Sequence, residues 1–216
     1  MHIHLSLDKI MPTTKAVTDA IRSFTEVESR FGISRSLDPD FFSEWQNNFD
    51  ELTQIQRSTL DRIKQSYLRH INEGFLSEGV VNLLVVSPLL FLADFLDAPF
   101  SLRSEESIEI VDQDHDITYK GRIDALVFKE DIWIVLVEAK RSSFSFLVAV
   151  PQALTYMMAS PNGDLPTYAM VTNGDHFMFV KKHGSQYDLS DDFSLFRRSQ
   201  NELYPVLQIL KSLANI

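Results

Sequence analysis

The run Ile132–Val137, IWIVLV, is apolar at every position. In a strand, successive side chains point to opposite faces, so a run without polar alternation needs cover on both sides. Such a run is buried most readily as the central strand of a sheet with helices on both faces. It ends in Glu138-Ala139-Lys140. Charges at the end of so apolar a strand cost free energy unless they are paired or hold an ion.

The stretch before it sharpens the expectation. Gly121 to Lys140 reads GRIDALVFKEDIWIVLVEAK, two strands joined by the polar turn Lys129-Glu130-Asp131. Counting outward from that turn sets Asp124 beside Glu138, within reach of one ion. Glu138 and Lys140 are two apart on a strand and share a face. Two carboxylates with positions left for water and phosphate suit Mg²⁺ or Mn²⁺. Lys140 beside them can hold a phosphate oxygen or ease deprotonation of an attacking water. The reaction class that needs this set is phosphodiester hydrolysis. Glu-x-Lys on a strand is also common as an ion-paired strand end, so the surrounding chain must decide.

Around this centre the pattern is helices, three strands, a helix, two strands and a helix. Thr14–Val27 reads as a helix with Val17, Ile21 and Phe24 on one side. Asp38-Pro39-Asp40 is a helix start, followed by apolar residues at three- and four-residue spacing from Phe41 to Ile71, with one break near Asp50 and a stop at Gly74. The polar face of that helix carries Arg57, Arg62, Lys64 and Arg69. A second helix runs from Ser77 to Leu96, with Pro88 kinking or dividing it. Strands follow at 107–111, 117–128 and 132–139, then a helix at 143–159 whose regular part starts near Pro151. Asn173-Gly174-Asp175 joins the strands 167–172 and 176–181 as a hairpin, and 201–213 is a last amphipathic helix. The expected fold is α/β, a mixed central sheet flanked by helices, with residues 1–74 as a helical extension and 75–216 as the core.

Composition excludes several alternatives. There is no Cys among the 216 residues, which removes thiolate metal sites and a Cys nucleophile and fits a reducing cytoplasm. The formal charge of −10 argues against a protein that merely coats nucleic acid, yet it does not oppose a local basic patch or a bound cation. The most apolar stretch, Val80–Leu96, is interrupted by Asn82, Ser87, Pro88 and Asp94, so no membrane span is expected. His2 and His4 make a pair without a third ligand, which also fits an ordinary N-terminus. The chain lacks a Walker loop, a G-x-S-x-G and an H-E-x-x-H.

The motifs together resemble the PD-(D/E)xK nuclease superfamily. GRIDALVF carries the aspartate, with Ile123 where the familiar proline would stand, and VEAK carries the acid-x-lysine. Gln152 and Tyr156 in PQALTYM match the Q-x-x-x-Y element of the RecB-like branch, and their i, i+4 spacing puts them on one helix face. A narrower similarity, over about Leu76 to Lys181, is to the N-terminal nuclease domain of type I restriction enzyme R subunits. It rests on SEGVVNLLVVSPLLFLADF, GRIDALVF, VEAKR, QALTYM and YAMVTNGDHFMFV.

The resemblance implies a restriction-endonuclease-like fold and a Mg²⁺- or Mn²⁺-dependent DNA endonuclease of restriction or defence type. Asp124, Glu138 and Glu78 would hold metal. Asp124, Glu138, Lys140 and Gln152 would carry catalysis. Arg122, Arg141 and Tyr156 would lie near the nucleic acid, and Thr172–Gly174 would be a structural hairpin. A full R subunit continues into a helicase-like motor, whereas this chain reaches Ile216 without a phosphate-binding loop, so a free-standing nuclease domain is expected. The competing expectation is a nonenzymatic interaction module that keeps the fold and binds a protein partner, or a second copy, through residues 38–72. A nuclease acting on RNA or on a nucleotide is a third, with no RNA-binding signature behind it.

Overall fold

The computed structural model describes residues 13–46, 49–112, 115–129, 132–139 and 146–215, with backbone alone at 132, 134–139 and 146. Its strands are β1 (Thr13–Ala16), β2 (Ser34–Arg35), β3 (Ser101–Asp112), β4 (Ile117–Lys129), β5 (Ile132–Ala139), β6 (Thr167–Thr172), β7 (His176–His183), β8 (Gln186–Leu189) and β9 (Phe193–Ser194). Its helices are α1 (Val17–Ala20), α2 (Phe24–Phe31), α3 (Gln54–Ile71), α4 (Glu78–Val81), α5 (Ser87–Leu92), α6 (Val150–Met157) and α7 (Leu203–Ala214). One mixed sheet takes the order β1-β4-β5-β6-β7-β8-β2, with β3 added to β4 and β9 to β7. The apolar run is interior as its pattern requires: β5 pairs antiparallel with β4 and parallel with β6.

Alternation along the strands builds two cores. Tyr168, Met170, Phe177 and Phe179 face the layer of α3, α5 and α7. Ala169, Val171, Met178 and Val180 face the layer that contains α2 and α6. Each fully buried large apolar side chain contributes about 1.5–3 kcal/mol relative to exposure. Both faces of the central strands are thus covered, which is the α/β class expected. Among the described residues no helix is long and apolar enough to cross a membrane.

Local chemistry sets the helix ends, and some expectations change. Asp38-Pro39 does not open a helix. Asp38 Oδ1 accepts from the Asp40 N–H at 3.0 Å, and Phe42 tucks its ring beside Tyr168 at 6.0 Å, so this stretch turns inward. The helix begins instead at Gln54, behind a capping box in which Thr53 and Gln56 satisfy each other's backbone N–H groups. Leu60, Ile63 and Tyr67 are its buried stripe. Two of its four basic residues serve the fold. The Arg57 guanidinium lies over the Tyr204 ring, 5.2 Å from its centroid. Lys64 Nζ donates to the carbonyls of Arg197 and Gln200 at 2.8 and 3.1 Å.

Pro88 acts where expected. It occupies the first turn of α5, and the preceding Asn82–Val86 runs as a π-helical segment, which absorbs the register that a proline without an N–H disturbs. The helix expected over 14–27 is replaced by β1, α1 and α2. Ser23 and Glu26 form a capping box that starts α2 anew, and Gly32 ends it in the left-handed region. The described part of segment 1–74 therefore supplies two strands to the sheet, and Val17, Ile21 and Val27 enter the core beside α6.

Candidate active site

β4 brings the site together because its two edges are paired differently. Along one edge β3 pairs with it from Ile117 to Phe128, passing over Asp124 alone. Along the other, β1 covers residues 117–120 and β5 covers residues 125–129. Residues 121–124 lie between, with no strand paired to them on that edge among the described residues, so Asp124 stands in the gap. The strand is also irregular here. Tyr119 and Ile123 face the α6 side, and so do Leu126 and Phe128, so the alternation slips by one residue around Asp124. Glu105, which the β3 register sets across from Asp124, has φ of 54°, a conformation uncommon for a residue other than glycine.

The gap opens as a cleft of about 400 Å³. Asp124 and Arg122 of β4 line it, with Glu78 from the start of α4 and Tyr156 from α6. Ala16 and Thr18, at the β1–α1 junction, also line it, together with Lys120 and Gly121 of β4. Glu78 reaches the cleft because the Ser77 side chain accepts from the Val80 N–H and starts the helix there. Tyr156 is only 2% exposed, and its ring lies directly on Gly121. A Cβ at Gly121 would overlap that ring, so glycine is required here for close approach rather than for a special backbone angle. Asp124 is half-buried, whereas Glu78, Lys120 and Arg122 are exposed.

Gln152 is 5% exposed on the same helix as Tyr156, and its Oε1 has no hydrogen-bond partner among the described residues. A buried amide oxygen is an acceptor that costs free energy when left unmet. The backbone of Glu138 is in β5. The paired register of β4 and β5 ends at Ala125–Val137, one residue short of both Asp124 and Glu138. Lys140 and Arg141 lie outside the described residues, as do the side chain of Glu138 and His2 and His4. Among the described residues no three His, Asp or Glu side chains are grouped to hold a metal. Asp124 and Glu78 line one cleft, and their hard oxygen donors suit Mg²⁺ or Mn²⁺.

The turn at residues 172–175 stands at the same end of the sheet, since Ala139 pairs in parallel with Thr172. It is built internally. The Gly174 N–H donates to Thr172 Oγ1 at 2.9 Å, and the His176 N–H donates to Asn173 Oδ1 at 3.0 Å. Gly174 takes φ of 95°, and a Cβ there would lie 2.6 Å from Tyr67 Cε2. Asp175, absent from the sequence-based site, is 6% exposed, and its Oδ1 has no partner among the described residues. Burial pushes its carboxyl above the ordinary aspartate value, against the lowering influence of His176. A turn aspartate gives no sign in sequence that it will be covered.

A family model described as type I restriction enzyme R protein N terminus matches residues 37–188, more than half of the 216-residue chain. No curated protein matches. Among solved structures, the chain is similar to "the fragment structure of a putative HsdR subunit of a type I restriction enzyme" from Vibrio vulnificus YJ016. The two share 18% identity at a TM-score of 0.40, over 65% of this chain and 26% of that one. The chain thus spans about a quarter of the length of that fragment.

Proposed function

The chain belongs to the family of type I restriction enzyme R protein N-terminal domains, and from that premise we propose that it is a metal-dependent endonuclease hydrolysing phosphodiester bonds in DNA. The observation that carries this reading is the gap beside β4. There Asp124 meets Glu78, Arg122 and Tyr156, next to the strand that leads through Glu138 to Lys140.

In this reading Asp124, Glu138 and Glu78 hold a divalent cation. Bound there, Mg²⁺ or Mn²⁺ would neutralise charge on the scissile phosphate and make a coordinated water more acidic. Lys140, the residue after the end of β5, holds a phosphate oxygen and offsets the charge that grows as water attacks phosphorus and one P–O ester bond breaks. Gln152 Oε1 is a buried acceptor, suited to orient a lysine ammonium or a water. Arg122 and Arg141 neutralise flanking phosphates, and Tyr156 fixes the wall of the cleft against Gly121.

The test is nicking of supercoiled plasmid with Mg²⁺ or Mn²⁺. The wild-type chain nicks, and Lys140→Ala loses at least about 10²-fold, the scale of removing one donor to developing charge. Undiminished nicking by that variant removes Lys140 from its role.

A second reading, an interaction module without catalysis, is favoured by the exposure of Leu83 (75%) and Phe91 (64%) on the helical layer. Calorimetric titration with Mn²⁺ separates the two, because the interaction module requires no metal.

A further inference from the structure

A second cleft adjoins the first. It has a volume of about 530 Å³ and is lined by Thr14, Lys15, Ala16, Asp19, Ala20 and Arg30. Ala16 belongs to both clefts, so the two meet across β1. In the parallel register Ala16 pairs with Lys120 and Lys15 with Tyr119, and neighbouring strands lie about 4.8 Å apart. Successive side chains alternate, so Lys15, beside Tyr119, and Lys120, beside Ala16, project from opposite faces of the sheet, on the two sides of β1. The two clefts together present Lys15, Arg30, Lys120 and Arg122, a local cationic lane on a chain of net charge −10.

Arg30 is held in place. Its Nη1 donates to the Tyr119 hydroxyl, and its guanidinium carbon lies 5.3 Å from the Tyr119 ring centroid. A guanidinium has five N–H donors in a fixed fork, and Tyr119 engages one of them. Lys120 and Arg122 are balanced by exposed carboxylates, Glu109 at 2.6 Å and Glu105 at 3.6 Å. Exposed pairs of this kind are weak, so a phosphate can replace them.

We propose that a DNA strand leaving the first cleft crosses β1 at Ala16, its phosphates held first by Lys120 and Arg122 and then, in the second cleft, by Lys15 and Arg30. This path rests on the reading of the first cleft as the site of DNA cleavage. It gives the β1–α2 segment, which precedes the matched family region, a role in holding substrate. Asp19, the acidic residue lining the second cleft, faces the same space and favours phosphates placed toward Lys15 and Arg30.

The experiment measures binding of a fluorescent DNA duplex by anisotropy, with chelator present, across a series of salt concentrations. Nicking with Mn²⁺ is assayed in parallel. Lys15→Gln combined with Arg30→Gln frees two phosphates from the protein, so the slope of log K against log salt becomes shallower by about 2, roughly one for each phosphate freed. Binding weakens at every salt concentration, while Mn²⁺ titration is unchanged. Lys15→Glu alone, at an exposed position outside the core, weakens binding with the thermal midpoint unchanged. Wild-type affinity and slope in both variants would overturn the path and leave the cleavage site standing. A wild-type chain that neither binds nor nicks DNA would overturn both.

Discussion

On its β3 edge, β4 is paired from Ile117 to Phe128 at every residue but Asp124; on its opposite edge, among the described residues, the partners β1 and β5 leave a gap at residues 121–124. The paired edge has satisfied backbone groups and exposed ion pairs such as Arg103–Glu106 at 2.8 Å. The interrupted edge has a cleft, two acids, an arginine and a tyrosine ring resting on a glycine. The long ladder holds β4 in place, so the gap opposite can be kept open without the strand losing its position. A sheet of this kind places chemistry where pairing stops.

The two edges should therefore respond differently to substitution. The largest effect falls on Asp124→Asn, which removes one negative charge from the cleft and keeps its size. Plasmid nicking should drop by at least about 10²-fold, since metal-assisted charge stabilisation supplies several kcal/mol. The thermal midpoint should change little, and a matching collapse of the fold would show that Asp124 serves structure instead.

Gly121→Ala comes next. Its Cβ meets the Tyr156 ring, and overpacking costs about 1–3 kcal/mol. Denaturant unfolding should register that loss, and nicking should fall with it. Combining Gly121→Ala with Tyr156→Ala should give a non-additive total, with a coupling of about 0.5–3 kcal/mol for residues that touch. Strict additivity would mean the ring does not rest on the glycine.

Asp175→Asn tests the buried turn at the same sheet end. The native carboxyl has a raised pKa, so between the ordinary aspartate value and that raised value the native state binds more protons than the unfolded chain. Stability therefore falls as pH rises through that window, and the loss persists at neutral pH. Asp175→Asn should flatten this part of the stability–pH curve while nicking is kept. A parallel curve in the variant would show that Asp175 is not the group that titrates.

The smallest effect belongs to the paired edge. Glu106→Gln breaks an exposed pair with Arg103 and should shift stability by at most about 0.2–1 kcal/mol, with nicking unaltered. A large loss of nicking there would erase the distinction between the edges.

Much of the fold was legible in sequence where period and turn chemistry agree. The all-apolar IWIVLV run specified an interior strand, and Asn173-Gly174-Asp175 specified the β6–β7 hairpin. The N-terminal segment was not legible in the same way. Val17, Ile21 and Phe24 fit a helical stripe, but Ser23 and Glu26 cap a new helix, and Thr13–Ala16 pairs with a strand about a hundred residues later, which no local pattern reports. Phe41 and Trp45 continued the spacing of α3 backward, although the Asp38 turn and the burial of Phe42 send that segment elsewhere.

At the candidate site, the turn in GRIDALVFKEDIWIVLVEAK implied the antiparallel register that pairs Ala125 with Val137. Gln152 and Tyr156 were legible as a pair on one helix face, and both are buried on α6. The packing of Tyr156 on Gly121, the β1 wall and the cationic lane beside it depend on tertiary pairing and were not legible.

The most direct test is a crystal structure of the protein with Mn²⁺, at a concentration that supports nicking, with anomalous density located. The account predicts a peak in the gap beside β4, between Asp124 and Glu138, that disappears in Asp124→Asn. A peak confined to another part of the molecule, or none in the gap, would contradict it.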